Sequence, residues 1–265
     1  MESQEFVAKL AHLASRQLAD YDNREPGALF ASETLSVEQA YRLQTAVAEL
    51  RCDRGEQIIG YKVGCTSAKI RSQLQIDQSI TGRLYESERY VAGISLSRQR
   101  YVNLAIEGEL AVTLSREPCE DDFRAEGIPK CVDRIFPVIE LHNHVVRGEK
   151  PSAAELIANN AIHAGFVAGT GVHLTDWLDR STNSLALSIY VGEQLVDQCG
   201  ERELVETIYS SLKWLTKVVQ DRGDRLEAGQ VVLTGSVPSL IPIRENTNVR
   251  VDAQAAGCVE AGLIR

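Results

Sequence analysis

The chain has 265 residues, 44% hydrophobic and 25% charged, with 37 acidic against 28 basic side chains and a formal net charge of −9. That balance suits a globular chain, offers no basic footprint for nucleic acid, and includes no apolar run of about 18 residues for a membrane span. Met1-Glu2-Ser3-Gln4-Glu5 lacks the regions of a signal peptide, and the 6 cysteines contain no C-x-x-C pair, so a cytoplasmic protein with reduced thiols is expected.

Phe6, Leu10, Leu13 and Leu18 predict a first helix within 5–20. After a polar break at 22–27, Ser36-Val37-Glu38-Gln39 reads as a capping box for a second helix, striped by Ala40, Leu43, Val47 and Leu50. These helices define a small N-terminal region, 1–57, ahead of a strand-rich domain, 58–265. On the strand at 59–63, Gly60, Lys62 and Gly64 share one face. Glycines there signal close approach of a ligand or another backbone, whereas an edge-strand lysine guarding against aggregation is the plainer alternative. Thr66 or Ser67 caps a short helix to about Gln75.

Residues 105–114 predict a strand with Ile106, Leu110, Val112 and Leu114 facing a core. Ala105, Glu107, Glu109, Ala111 and Thr113 take the other face. Two adjacent carboxylates repel, so either this is a hydrated edge or the pair holds a hard cation such as Mg²⁺. The acidic stretch 117–126 reads as a solvated excursion. A second strand, 135–142, carries Phe136, Val138, Glu140 and His142 on one face. Ser152 and Glu155 cap a helix expected to run to the glycines at 165–171, with His163 near its end as a dipole partner. A hairpin turns at Gly192-Glu193. The clearest helix, 202–221, is striped by Leu204, Ile208, Leu212, Leu215 and Val219 and stopped by Gly223. Strand 230–234 leads into Thr234-Gly235-Ser236, which is either a plain turn or a cradle of N–H and hydroxyl groups for an anion. Front helices before a strand-rich remainder predict an α+β architecture.

If strands 105–114 and 135–142 pair, Glu107, Glu109 and Glu140 form an open oxygen site suited to Mg²⁺ or Mn²⁺. Glu140, His142 and His144 also alternate, as in a two-histidine, one-carboxylate site. Three ligands on one extended strand stretch over about 14 Å, so both histidines together with Glu140 are not expected to ligate; either could coordinate alone, and polar lining or a core hydrogen bond is the expected role.

In order along the chain, several stretches resemble the fumarylacetoacetate hydrolase superfamily, in its 2-keto-4-pentenoate hydratase and 4-oxalocrotonate decarboxylase branch. They are Gly60-Tyr61-Lys62-Val63-Gly64-Cys65-Thr66-Ser67, Glu107-Gly108-Glu109, Pro137-Val138-Ile139-Glu140, Asn160-Ala161 with Ala164-Gly165-Phe166-Val167, and Val232-Leu233-Thr234-Gly235-Ser236. The resemblance implies a mixed β-roll core, Mg²⁺ or Mn²⁺ on Glu107, Glu109 and Glu140, a pocket lysine at Lys62, and homo-oligomers. Lys62 is then the catalytic residue, and Lys62, Thr234, Gly235 and Ser236 are assigned to a small 2-oxo acid substrate.

Hydrolase branches usually carry a catalytic histidine in a lid segment, and none lies between Lys62 and Glu107. Ile162 stands where hydratases often carry serine, Ile80-Thr81 where an aspartate often precedes the glycine matched by Gly82, and Asn143 at a usual aspartate position. The expected activity is a metal-dependent lyase, hydratase or decarboxylase, on short 2-keto or 2-hydroxydienoic acids through an enolate. Acylpyruvate or fumarylpyruvate hydrolysis, and a non-catalytic 2-oxo acid binder, are the alternatives.

Overall fold

The two longest strands are the most continuously buried, and they pair at the middle of the larger sheet. The computed structural model describes residues 4–25, 28–31, 33–143, 151–178, 185–236 and 240–265. It begins with helices α1 (Gln4–Asp22) and α2 (Val37–Asp53), strand β1 (Ile58–Gly64), helix α3 (Ala68–Leu74), and strands β2 (Ile80–Tyr85), β3 (Arg89–Val91) and β4 (Ile94–Ser97). The long strands β5 (Ala105–Leu114) and β6 (Val132–His142) come next, then α4 (Ala153–Ala158), β7 (His163–Ala168), β8 (Val172–His173) and α5 (Leu174–Leu178). Hairpin β9 (Leu187–Val191) and β10 (Gln194–Cys199) precedes helix α6 (Glu201–Asp221) and strands β11 (Val231–Leu233), β12 (Ile241–Pro242), β13 (Thr247–Asp252) and β14 (Cys258–Ile264).

Two mixed sheets result. The larger runs β2-β1-β11-β5-β6-β7-β3, with β12 on β5 and β8 on β6; the smaller runs β10-β9-β13-β14-β4. Parallel pairing of β1 with β11 sets Lys62 opposite Leu233. The antiparallel ladder of β5 and β6 sets Glu107 directly opposite Glu140. The expected α+β, curled-sheet core is therefore present, with β5 and β6 central rather than at an edge.

The main core lies between the sheets and under α6. Ile106, Leu110 and Val112 of β5 meet Ile189, Val249 and Val251 of the smaller sheet, and all five stripe residues of α6 are buried there. At Gly108, between the two glutamates, the sheets press together: an added Cβ would lie 2.6 Å from two Ile189 side-chain atoms and 2.9 Å from Val251 Cγ2. Gly108→Ala is therefore expected to cost about 1–3 kcal/mol through overpacking, measurable by urea unfolding. A smaller apolar cluster, including Leu84, Ala111, Phe136 and Val138, covers the opposite face. The Glu-bearing face of β5 thus grades from acidic to apolar along its length.

Helices α1 and α2 pack with α4 and Ile80 in a second core. The capping box of Ser36 and Gln39 forms as expected. The buried face of α2 differs from the expected stripe: Ala40, Leu43, Gln44, Ala48 and Arg51 are inside, while Val47 and Leu50 are half-buried. Arg51 rotates the face because it is the hub of a buried charge network. Its guanidinium bonds Glu56 at 2.5 and 3.0 Å and Glu88 at 2.6 Å, and stacks 3.5 Å from the Tyr85 ring centroid. Burial alone would raise the Glu56 carboxyl, but Arg51, aided by Ser87 and Arg54, holds it down to about 2. A carboxyl lowered on folding stabilises above its unfolded range and loses that contribution as pH falls. Glu56→Gln is expected to cost roughly 1–3 kcal/mol at pH 7, with the gap to the parent closing between about pH 4.5 and 2 in urea melts.

Other expectations change. The helix from Ser152 stops at Ala158 instead of running to 165, because Asn160, Ala161 and Ile162 adopt left-handed φ values of 55°, 52° and 56°. Asn160 favours this by pairing with β2: its Oδ1 accepts from Arg83 N at 2.7 Å and its Nδ2 donates to Arg83 O at 2.8 Å. His163 consequently opens β7 and is not a helix-end dipole partner. Strands β2, β3, β4, β7 and β8 are additional to the sequence reading. His144 lies outside the described residues, among which no helix is long and apolar enough to cross a membrane.

Candidate active and metal centre

The site is assembled from the larger sheet, with β5, β6 and β7 side by side and β1 one strand away across β11. Lys62 comes from β1, Glu107 and Glu109 from β5, Glu140 and His142 from β6, and His163 from β7. Strand alternation puts Glu107 and Glu109 on one face, and the β5–β6 register brings Glu140 alongside. On β6–β7 the register slips by one residue between Phe166 and His163, next to Gly165 at φ +128°. That slip sets His163 opposite His142.

Lys62, Glu109, Glu140, His142 and His163 are all buried, while Glu107 is partly exposed at the mouth. The hydrated-edge and edge-lysine alternatives are thereby overturned: Lys62 is 3% exposed, on a strand flanked by β2 and β11. The two neighbouring glycines have separate causes. A Cβ at Gly60 would collide with the Val231 backbone, so there the close approach is another strand. At Gly64 it would lie 3.3 Å from Lys62 Nζ, so this glycine clears space beside the ammonium.

Glu140 is the hub. Its Oε1 lies 3.2 Å from Lys62 Nζ and 2.7 Å from His163 Nδ1, and its Oε2 lies 3.5 Å from His142 Nε2. His142 Nε2 also lies 3.1 Å from Glu107 Oε2. Burial alone would raise the Glu140 carboxyl, but Lys62, His142 and His163 hold it well below the usual range. The reverse holds for Glu109, which burial and then the charges of Glu140 and Glu107 push well above that range. Burial would lower the Lys62 ammonium, yet Glu140, Glu107 and Glu109 together outweigh it and raise it. Three carboxyl groups thus share Lys62, and burial beside two like charges disfavours the ionised form of Glu109 until further positive charge is supplied.

The C-terminal turn meets this cluster from β11. Gly235, at φ +95°, adopts a left-handed geometry that suits glycine, and an added Cβ would lie 2.5 Å from Thr66 Cγ2. Its N–H donates to Glu109 Oε2 at 2.5 Å. The Thr234 hydroxyl, also buried, donates to Leu110 O at 2.8 Å. Ser236 is half-buried, its hydroxyl 3.5 Å from Gly108 O. The group received by this turn is thus the Glu109 carboxyl. Thr234, Gly235 and Ser236 lie beside the site, each with a hydrogen bond to a β5 residue.

The residues present suit a divalent cation. Glu107, Glu140 and His142 each offer a ligand atom, all within 4.8 Å of one another. Glu109 Oε1 is buried with no hydrogen-bond partner among the described residues, an arrangement that a cation would relieve. Sequence reasoning missed the placement of His163, although the run His163-Ala-Gly-Phe-Val-Ala carried enough apolar strand character to reveal it.

A curled mixed sheet carrying inward carboxylates beside a buried lysine defines the fold class on which the comparisons with known proteins converge. The family model Fumarylacetoacetate (FAA) hydrolase C-terminal matches residues 86–264, and the chain belongs to this family. Lys62 lies ahead of the matched span. Among curated relatives, 2-keto-4-pentenoate hydratase 2 of Dechloromonas aromatica (strain RCB) is 24% identical over 260 residues, 97% of either chain. The 4-oxalocrotonate decarboxylase of Pseudomonas putida is 21% identical over 269 residues, covering 100% of this chain and 98% of its own. Among solved structures, 4-oxalocrotonate decarboxylase from Pseudomonas putida G7, complexed with magnesium and adipate, superposes with a TM-score of 0.85 at 20% identity, over 100% of this chain and 99% of that one. Fumarylpyruvate hydrolase from Pseudomonas aeruginosa, in complex with Mn²⁺ and pyruvate, gives 0.57 at 13% identity, over 77% and 88%.

Proposed function

We propose that this protein is a divalent-metal-dependent lyase acting on a short 2-oxo or 2-hydroxydienoic acid, by hydration or decarboxylation. The observation that carries this reading is the buried convergence of Lys62 on Glu140, with Glu107 and Glu109 beside it. Glu107, Glu109 and Glu140 would hold Mg²⁺ or Mn²⁺, the ions suited to hard oxygen donors. When bound, the ion supplies positive charge beside the substrate's carboxylate and 2-oxygen, where negative charge develops.

The remaining chemistry belongs to the chain. Lys62, kept as an ammonium by its acidic neighbours, is a proton donor or carboxylate holder rather than a free amine for Schiff-base formation. The apolar cluster beyond Ala111 limits water around the pocket. His163 fixes Glu140 by its 2.7 Å contact and leaves Lys62 to meet the substrate. Thr234, Gly235 and Ser236 would bound the substrate on the β11 side, with Gly235 acting through Glu109. A cytoplasmic homo-oligomer completes the reading.

Hydrolysis of an acylpyruvate-type carbon–carbon bond is the second reading. Its support is the His142–Glu107 contact at 3.1 Å, a histidine–carboxylate pair of the kind that activates water. Product analysis separates the two. With Mg²⁺ or Mn²⁺ present, 2-hydroxypenta-2,4-dienoate and 4-oxalocrotonate should yield a hydrated 2-oxo acid or CO₂. Release of two acids from fumarylpyruvate alone would establish hydrolysis, and turnover of none would leave a 2-oxo acid binder.

A further inference from the structure

We infer that His142 is itself a metal ligand, so that the centre is a mixed carboxylate–imidazole site selecting a first-row transition cation over Mg²⁺. This rests on the metal-site reading above and changes its donor set. Donors on adjacent corners of an octahedron with bonds of about 2.1 Å lie about 3.0 Å apart. His142 Nε2 lies 3.1 Å from Glu107 Oε2 and 3.5 Å from Glu140 Oε2. The three residues also form the cluster whose donor atoms all fall within 4.8 Å.

Strand geometry explains how they meet. His142 follows Glu140 by two residues on β6 and shares its face, and its β5 neighbour is Ala105, whose small side chain leaves room for the ring. Two ligands from β6 and one from β5 need no bend, unlike three ligands drawn from one extended strand.

The surroundings of the His142 ring point the same way. His142 is 2% exposed, and its Nδ1 has no hydrogen-bond partner among the described residues. Its other ring nitrogen, Nε2, faces the carboxylates of both Glu107 and Glu140, so one edge of the ring is turned to the candidate ligands. The buried, unpartnered Glu109 Oε1 gives the same pocket a second unmet demand for positive charge. Carboxylate oxygens alone suit Mg²⁺, whereas an imidazole nitrogen shifts preference towards Mn²⁺, Co²⁺ or Zn²⁺.

The test uses the full chain stripped of metal. Mn²⁺-loaded parent protein is examined by electron spin-echo spectroscopy for a directly coordinated ¹⁴N, and Co²⁺ and Mg²⁺ are titrated by calorimetry into the parent and His142→Val. The expected result is a nitrogen signal that disappears in His142→Val, with Co²⁺ affinity down about tenfold or more and Mg²⁺ affinity changed less than about threefold. Absence of coordinated nitrogen in the parent overturns the inference, as does an equal loss for both ions. The spectroscopic arm needs no variant, so it decides the matter even if His142→Val folds poorly. Glu107→Gln separates the two layers. If it binds both ions like the parent, the metal centre itself fails; if it loses both while the parent shows no nitrogen, only the His142 assignment fails.

Discussion

Lys62→Ala is expected to lower turnover by about 10³-fold while leaving divalent-ion affinity within a few-fold of the parent. General acid–base groups typically contribute 10²–10⁴, and this lysine is the buried cation facing the acidic cluster. Its loss removes one of three cationic or hydrogen-bonding partners of Glu140, leaving His142 and His163. Some stability is lost with it, so melting is followed in parallel. Lys62→Arg is the informative companion: it restores charge beside Glu140, yet a guanidinium does not exchange protons near neutral pH. Recovery of stability without turnover would assign Lys62 to proton transfer, and recovery of both would assign it to charge alone.

Replacing either of two glutamates should remove the metal. Glu107→Gln and Glu140→Gln are each expected to weaken divalent-ion binding by at least about 100-fold, since an amide presents a neutral and weaker donor. The two differ in collateral cost. Glu140 is 1% exposed and carries Lys62 and His163 on a single oxygen, so its amide leaves both without their anion. That variant should lose about 3–5 kcal/mol as well as the metal. Glu107, at the partly exposed mouth, touches His142 and should keep its fold. Calorimetric titration reads the affinity and urea melts read the stability. Unchanged affinity in both variants would sink the metal assignment.

Much of this arrangement was legible in the sequence because it follows from alternation. Period-two patterning put Glu107 with Glu109, set Lys62 between two glycines, and placed Glu140 with His142. The strands proved central, so the same pattern that allowed a hydrated edge became a buried acidic cluster. Positions set by backbone irregularity were not legible. His163 reaches Glu140 through three consecutive left-handed residues and a one-residue register slip, neither of which has a hydrophobic period. The Asn160 side chain that supports the turn bonds the backbone of Arg83, a partner far away in sequence. Arg51 was missed for a similar reason: a helical arginine reads as surface until Glu56, Glu88 and Tyr85 surround it. The Thr234-Gly235-Ser236 turn could be read as a plain turn or an anion cradle, and the structure has Gly235 N–H donating to a carboxyl of the same chain, that of Glu109.

The parallel pairing of β1 with β11 has a consequence for how the chain reaches its native state. Gly60 lies against Val231, and β11 also borders β5, so the strands bearing Lys62 and Glu109 are joined only when a late segment inserts between them. Until then both strands expose unpaired backbone edges to other molecules. Such non-local closure slows folding and lengthens the interval in which misassociation competes. Chains interrupted before Val231 should therefore accumulate as aggregates rather than as metal-free but folded protein.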